Sequence, residues 1–108
     1  MQNKKIPLFE PFIGREEKKN VIDCIDSNWI SSKGKYIKKF ETQFGRLIKT
    51  KYSITVNNGT AALHLAMLSI NLSSKDKVVT SPISFLASAN CVEYVGAKVD
   101  FCDILSRF

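Results

Sequence analysis

The sequence predicts an α/β fold with a parallel sheet that helices cover on both faces. From residue 52 onward, short runs rich in β-branched residues alternate with longer apolar runs of helical length. The breakers Gly59, Pro82 and Gly96 fall between these runs. Alternating strands and helices usually build parallel sheets, so residues 51–108 are expected to form β-α-β-α-β.

The first half of the chain predicts surface helices. Residues 1–14 contain Pro7, Pro11 and Gly14, which are too closely spaced for a long element and predict an extended arm. Apolar residues at helical spacing and acidic residues near the start predict a one-sided helix over Glu16–Ser27. A second amphipathic helix of about three turns follows. Its apolar positions are Ile37, Phe40, Phe44, Leu47 and Ile48.

The chain is therefore expected to contain an arm with two surface helices in residues 1–50 and part of a sheet domain in residues 51–108. Together these would make one incomplete domain. The predicted strands are Tyr52–Asn57, Lys77–Ser81 and Lys98–Asp103, and the predicted helices are Thr60–Ile70 and Phe85–Val95, the latter ended by Gly96. Ligands of parallel sheets bind beyond the carboxyl ends of the strands, where the loops after the first two strands would converge.

The turn Asn58-Gly59-Thr60 is suited to binding an anion. A helix that begins there directs free N–H groups and the positive end of its dipole beyond the strand. Gly59 would let the backbone approach a phosphate, while Thr60 could cap the helix and donate its hydroxyl hydrogen. A plain strand-to-helix turn is the alternative interpretation. No Gly-x-Gly-x-x-Gly follows the first strand and no Gly-Lys-Thr closes the turn, which disfavours Rossmann and P-loop sites.

Composition excludes several classes of protein. The chain has 108 residues, 44% of them hydrophobic and 24% charged, which is typical of a globular protein. No apolar run has membrane-spanning length and no signal-peptide region is present, so a cytoplasmic protein is expected. The cysteines Cys24, Cys91 and Cys102 are widely spaced and His64 is the only histidine, so neither a disulfide framework nor a metal site is predicted.

The net charge of +6 indicates no particular partner by itself. No basic run interleaved with aromatic residues accompanies the lysines, so nucleic-acid binding is not expected. A phosphorylated small molecule would explain the sign equally well. His64 lies one turn into an apolar helix and is interpreted as structural.

Four stretches together resemble the DegT/DnrJ/EryC1/StrS family, the pyridoxal-phosphate-dependent aminotransferases of nucleotide-linked keto sugars. The stretches are Pro7-Leu8-Phe9-Glu10-Pro11, Asn28 to Lys35 with Phe40-Glu41, Asn58 to His64, and Ser81 to Asn90 followed by Gly96-Ala97. They occur in the family's order over nearly the whole chain. The resemblance implies the N-terminal part of the large domain of a fold-type I pyridoxal-phosphate-dependent transferase, a three-layer α/β/α structure with a mostly parallel sheet.

The resemblance also implies roles for individual residues. Gly59, Thr60 and Ala61 would hold the phosphate of pyridoxal 5'-phosphate, and Phe85 would stack on its pyridine ring. The residues expected to meet the sugar nucleotide are Asn28, Trp29, Ile30, Ser31 and Ser32. The implied protein is a cytoplasmic homodimer that uses glutamate as amino donor, in surface-polysaccharide or related glycan synthesis.

The lysine that forms a Schiff base with the cofactor, and the acid that faces the pyridine nitrogen, lie well beyond residue 108 in the family. Lys33 and Lys35 are in a polar loop and are not expected to replace that lysine. The 108 residues are therefore expected to be the first part of a larger protein. We expect that alone they neither form a stable native domain nor catalyse transamination.

Three functions remain open at this point. The first is a 4-aminotransferase for a nucleotide-linked 4-keto-6-deoxy sugar, since Trp29 to Lys35 and Gly59-Thr60 resemble the perosamine synthases of the family. Pro82 to Phe85 resembles the aminotransferases of nonulosonic-acid routes, which leaves the nucleotide and the sugar open. The second is a dehydratase of the same family, in which histidine replaces the lysine. The third is a non-catalytic truncated product that binds at most an anion or a partner chain.

Overall fold

A computed structural model describes residues 6–104 of the chain. Contacts between residues divide the chain into two compact units, Met1–Ser53 and Ile54–Phe108. The first unit contains the helices α1 (Arg15–Asp26) and α2 (Lys35–Leu47). The second contains α3 (Gly59–Ser69), β1 (Lys77–Thr80), α4 (Ala87–Tyr94) and β2 (Lys98–Phe101), in that order. Residues 1–5 of the predicted arm and the terminal residues 105–108 lie outside the described part.

The two helices of the first unit confirm the predictions made from apolar spacing. Helix α1 has Glu16 and Glu17 in its first turn, where a negative charge interacts favourably with the helix dipole. On α2, Phe40 and Phe44 stack one turn apart with ring centroids 5.5 Å from each other. Positions four residues apart lie on the same side of a helix, which explains why the sequence pattern was sufficient here.

All four helices of the described chain end in a Schellman motif. In each one, the residue after the C-cap is left-handed and donates its N–H to a carbonyl of the last turn, and the following N–H reaches one residue further back. After α1, for example, Asn28 has φ 53° and donates to the carbonyl of Ile25, while Trp29 donates to that of Cys24. The left-handed residues are Asn28, Lys49, Asn71 and Gly96. Gly96 thus ends α4, as predicted.

The second unit is organised around α4. This helix contacts α3 and both strands, β1 and β2. β1 and β2 form a parallel pair in which Val78 lies opposite Val99. The buried apolar residues of the described chain are all in this unit, and they are Ala87, Cys91, Val92 and Ala97. The α/β class and the parallel pairing of the two later strands are confirmed.

The predicted first strand is not formed in the described chain. Residues 52–57 are not assigned to any strand, so the observed order is α-β-α-β and not β-α-β-α-β. A strand requires a neighbour that supplies backbone hydrogen bonds, and the only sheet in the described residues consists of β1 and β2. The predicted helix over Phe85–Val95 also begins later, at Ala87, with Leu86 as its N-cap.

Candidate functional site

A cleft of about 420 Å3 lies in the second unit, where the start of α3 meets the loop before α4. We call it the α3 cleft. Its lining residues are Asn58, Gly59, Thr60, Leu63, Ser84, Phe85, Ala87 and Ser88. Three of the four residues predicted to bind the cofactor, Gly59, Thr60 and Phe85, therefore line one cleft. The fourth, Ala61, belongs to the same helix turn but does not line the cleft.

The first turn of α3 shows which backbone donors are free. Asn58 is the N-cap, and its side-chain Oδ1 accepts the Ala61 N–H at 2.8 Å, while its carbonyl accepts the Ala62 N–H at 3.2 Å. The prediction that Thr60 caps the helix is wrong, since Asn58 occupies that position. The N–H groups of Gly59 and Thr60 and the Thr60 hydroxyl meet no acceptor within the described part of the chain.

The cleft has an open approach at Gly59. A Cβ built on this residue would meet no atom within 4 Å, so the space in front of the backbone is unfilled. Glycine conformational freedom is not required here, because the residue is already part of α3. What Gly59 provides is an unobstructed path from the cleft to the backbone N–H groups of the first helical turn.

Phe85 also lines the cleft, and its side chain is 84% exposed. Two hydroxyls hold the loop that carries it: Ser88 Oγ donates to the Phe85 carbonyl at 3.0 Å, and Ser81 Oγ accepts the Ile83 N–H at 3.1 Å. An exposed aromatic face on a cleft of this size is suited to a flat ligand ring.

Electrostatically, the α3 cleft favours an anion. No charged side chain lines it, and the first turn of α3 contains no acidic residue. The positive end of the α3 dipole and two unpaired N–H groups are therefore not neutralised locally. Backbone N–H groups at a helix start are a common phosphate-binding arrangement in proteins.

The predicted substrate residues lie in the first unit, on the loop between α1 and α2. Asn28 and Ser31 have internal roles there. Asn28 ends α1 in the left-handed conformation, and Ser31 accepts the Gly34 N–H with its carbonyl at 3.1 Å and the Lys33 N–H with its hydroxyl at 3.2 Å. A Cβ on Gly34 would lie only 3.2 Å from Cδ1 of Trp29, so the indole ring packs closely against this glycine.

These internal contacts leave other groups of the loop available to a ligand. Ile30 is 76% exposed, Trp29 is 55% exposed and Ser32 is also exposed. Ile30 in addition lines a groove of about 550 Å3 between α1 and α2. All five predicted substrate residues are exposed, and Asn28 and Ser31 in addition make hydrogen bonds to neighbouring residues.

A polar cluster joins the two helices below this loop, and sequence reasoning did not identify it. The Tyr36 hydroxyl donates to Asp23 Oδ2 at 2.9 Å, and Lys35 Nζ forms an ion pair with the same carboxylate. The hydrogen bond from Lys35 is the main cause that lowers the pKa of Asp23, and the hydrogen bond to Asp23 raises the pKa values of Lys35 and Tyr36. Residues 13 positions apart give no local sequence signal, so only the structure identifies this cluster.

Within residues 6–104, no group of three or more histidine, cysteine, aspartate or glutamate side chains could hold a metal ion. No helix in that range is long and apolar enough to cross a membrane. His64 lies edge-on to Tyr94 of α4, with ring centroids 5.5 Å apart, so its ring is part of the packing between α3 and α4.

Comparison with known proteins assigns the chain to a family. The model of the DegT/DnrJ/EryC1/StrS aminotransferase family matches residues 11–107. The chain belongs to this family. It is 45% identical over 100 residues to a GDP-perosamine synthase from Escherichia coli O157:H7, a match that covers 93% of this chain and 28% of that relative.

Solved structures agree with the fold. A putative sugar aminotransferase from Streptococcus pneumoniae, solved in its PMP-form, superposes with a TM-score of 0.86 at 28% identity, over 95% of this chain and 26% of that one. A GDP-4-keto-6-deoxy-D-mannose-3-dehydratase from E. coli, solved with bound hydrated PLP, gives a TM-score of 0.81 at 25% identity, over 94% and 27% of the two chains. The chain thus spans about a quarter of the length of these relatives.

Proposed function

We propose that this chain supplies the phosphate-binding and ring-binding parts of a pyridoxal-phosphate-dependent sugar aminotransferase. The proposed substrate is a nucleotide-linked 4-keto-6-deoxy sugar, as for a GDP-perosamine synthase, with glutamate as the amino donor. The observation on which this rests most is the α3 cleft. There, the free N–H groups of Gly59 and Thr60 lie in the same cleft as the exposed ring of Phe85.

The residues of the cleft fit the cofactor in three respects. The Gly59 and Thr60 N–H groups and the Thr60 hydroxyl offer three donors to a phosphate, and nothing stands in front of Gly59. Phe85 offers a flat apolar face for the pyridine ring. A volume of about 420 Å3 is within the usual range of small-ligand sites.

In this proposal the chain binds and orients, and other groups perform the proton transfers. Bound pyridoxal phosphate supplies an electron sink for carbanion chemistry at an amino group. The α3 turn would fix the position of the phosphate, and Phe85 would set the tilt of the ring. No lysine and no acid lines the cleft, so the lysine and the acid that the chemistry needs are assigned to residues outside it.

For the substrate, the α1–α2 loop would contact the sugar nucleotide through Asn28, Trp29, Ile30, Ser31 and Ser32, all of which are exposed. The identity to the E. coli O157:H7 relative supports a GDP-linked sugar. The proposal includes a homodimeric enzyme that acts in surface-polysaccharide synthesis. A dehydratase is the second candidate, and the structural similarity to the E. coli 3-dehydratase favours it.

The test uses the full-length product of the gene that encodes this chain, with pyridoxal phosphate, glutamate and GDP-4-keto-6-deoxymannose. An aminotransferase should form a 4-amino sugar nucleotide and 2-oxoglutarate in equal amounts, measured by mass spectrometry and a coupled assay. Loss of the 3-hydroxyl without a stable amino product would support the dehydratase. Conversion of neither the GDP-linked sugar nor its dTDP-linked counterpart, by a protein that melts cooperatively, would contradict both enzymatic candidates.

A further inference from the structure

We infer that Asn58 is a positioning residue of the anion site in the α3 cleft. Its side chain decides which N–H groups of α3 remain free, and its lack of charge keeps the site attractive to an anion. This inference rests on the proposed function, because it concerns the same phosphate site.

The hydrogen bonds of Asn58 divide the donors of the first turn. The Ala62 N–H donates to the Asn58 carbonyl in the first regular hydrogen bond of α3, so the N–H groups of residues 58–61 have no partner inside the helix. Asn58 accepts one of these, the Ala61 N–H, with its side-chain Oδ1. Within the described residues, the N–H groups of Gly59 and Thr60 meet no acceptor, and both residues line the cleft. The Asn58 side chain therefore occupies the Ala61 N–H and leaves the N–H groups of Gly59 and Thr60 available to a ligand.

The chemistry of the cap matters as well as its geometry. Asparagine, aspartate and serine are similarly good N-caps, and aspartate has the added advantage of its charge beside the helix dipole. At this helix a carboxylate would face any bound phosphate from within the same cleft, since Asn58 is one of the lining residues. Two like charges a few ångströms apart repel strongly, especially away from bulk water. A neutral N-cap can accept the helix N–H without repelling a bound phosphate.

The first turn of α3 is consistent with this argument. It contains no acidic side chain, whereas α1, whose start lines neither the cleft nor any predicted phosphate site, has Glu16 and Glu17 in the equivalent turn. The amide NH2 of Asn58 has no acceptor within the described residues and is left as a further donor. An aspartate at this position would replace that donor with a negatively charged oxygen.

The experiment compares four variants of the full-length gene product. For Asn58→Ser, Asn58→Asp and Asn58→Ala, it measures the affinity for pyridoxal phosphate, the affinity for inorganic phosphate by competition, and the melting temperature without either ligand. Asn71→Asp is the matched control. It makes the same chemical change at the opposite end of α3, where no ligand is proposed.

We expect Asn58→Ser to resemble the wild type in both affinity and melting temperature. Asn58→Asp should keep the melting temperature but bind both ligands at least tenfold more weakly, with a smaller loss at high salt because ions screen the repulsion. Asn58→Ala should lower the melting temperature by a few degrees, as loss of a cap does, together with affinity. The control should leave both affinities within twofold of wild type.

Two results separate failure of this inference from failure of the proposed function. If the wild type binds pyridoxal phosphate and phosphate, but Asn58→Asp binds them as tightly as Asn58→Ser does, Asn58 does not position the anion and the inference is overturned alone. If the folded wild type binds neither ligand, the proposed site itself is wrong and the inference falls with it.

Discussion

Thr60 lines the α3 cleft, and neither its backbone N–H nor its hydroxyl meets an acceptor among residues 6–104. A hydroxyl bonded to a charged phosphate contributes on the order of 1.5–3 kcal/mol. Thr60→Ala should therefore weaken pyridoxal phosphate binding about ten- to a hundredfold, without lowering the melting temperature of the unliganded protein. Titration of the cofactor by absorbance measures the change.

The matched control for this substitution is Thr42→Ala in α2. The Thr42 hydroxyl donates to the Lys38 carbonyl, and Thr42 belongs to the first unit and is not a lining residue of the α3 cleft. It should leave cofactor affinity unchanged. Equal affinity of Thr60→Ala and Thr42→Ala would remove the Thr60 hydroxyl from the proposed site.

Phe85 can be tested for stacking as distinct from packing. Phe85→Tyr and Phe85→Trp keep a flat face and should retain most of the cofactor affinity, whereas Phe85→Leu should lose it and shift the absorption spectrum of the bound cofactor. If the leucine and tyrosine variants bind the cofactor alike, the ring is not a stacking surface.

At the residue scale, the sequence predicted the members of the cleft better than their partners. Gly59 and Phe85 were both predicted to bind the cofactor, and both line the cleft. The cap by Asn58 was not predicted, because an asparagine before a glycine is equally suited to a hairpin turn or a helix start. Which N–H groups an N-cap occupies depends on its side-chain rotamer, and the sequence does not specify that.

At the scale of elements, the ends of the helices provide a direct test of the local energetics. Lys49 follows the C-cap of α2 with φ 57°, a left-handed conformation that glycine adopts without steric penalty and lysine does not. Lys49→Gly should therefore stabilise the full-length protein by about 1 kcal/mol, because it removes this penalty. Chemical denaturation measures the difference in unfolding free energy.

Lys49→Ala is the control for this prediction. Alanine also removes the lysine side chain but keeps a Cβ, so it retains the left-handed penalty and should not stabilise the protein. A stabilisation of equal size in both variants would mean that the lysine charge, and not the backbone conformation, limits stability at the end of α2.

The four helices were predictable because their signals are local. Apolar spacing fixed α1 and α2 to within about two residues, and a glycine at the boundary marked the end of α4. The strand expected over Tyr52–Asn57 was not confirmed because strand formation depends on a hydrogen-bonding neighbour elsewhere. Apolar and β-branched residues show that a segment can pair, but not that its partner is present.

At the scale of the whole molecule, the second unit leaves much apolar surface uncovered. On α3, Leu63, Leu65 and Leu68 are 38%, 43% and 50% exposed. The β1–β2 pair is also the only sheet in the described chain, so each strand has an unpaired edge. Each Å2 of apolar area that stays in water loses roughly 25 cal/mol of folding free energy. The free energy of unfolding of a typical domain is only about 5–15 kcal/mol.

We therefore predict that residues 1–108 expressed alone show no sharp near-ultraviolet circular dichroism and no cooperative melt, and that they catalyse no amino transfer. The positive control is a chimera in which residues 11–107 replace the matching segment of the E. coli O157:H7 relative, which supplies the rest of its fold. The chimera should melt cooperatively. A sharp melt of the isolated chain, with one lysine trapped on the cofactor by borohydride, would contradict this prediction.

Family membership could be recognised from the sequence because four motifs occur in the expected order along one chain, and the family match over residues 11–107 confirms it. The nucleotide and the sugar could not be predicted. Of the five residues expected to meet the substrate, Asn28 and Ser31 are engaged within their own loop. Sequence motifs do not distinguish residues that shape a loop from residues that contact a ligand.

The most direct test of the central proposal, that the α3 cleft holds pyridoxal phosphate, is a crystal structure of the full-length gene product grown with the cofactor. The proposal predicts phosphate oxygens within about 3 Å of the Gly59 N, the Thr60 N and the Thr60 Oγ1, the Ala61 N–H still bonded to Asn58, and the pyridine ring against Phe85. A cofactor bound elsewhere, or a phosphate held by the Ala61 N–H with Asn58 displaced, would contradict it.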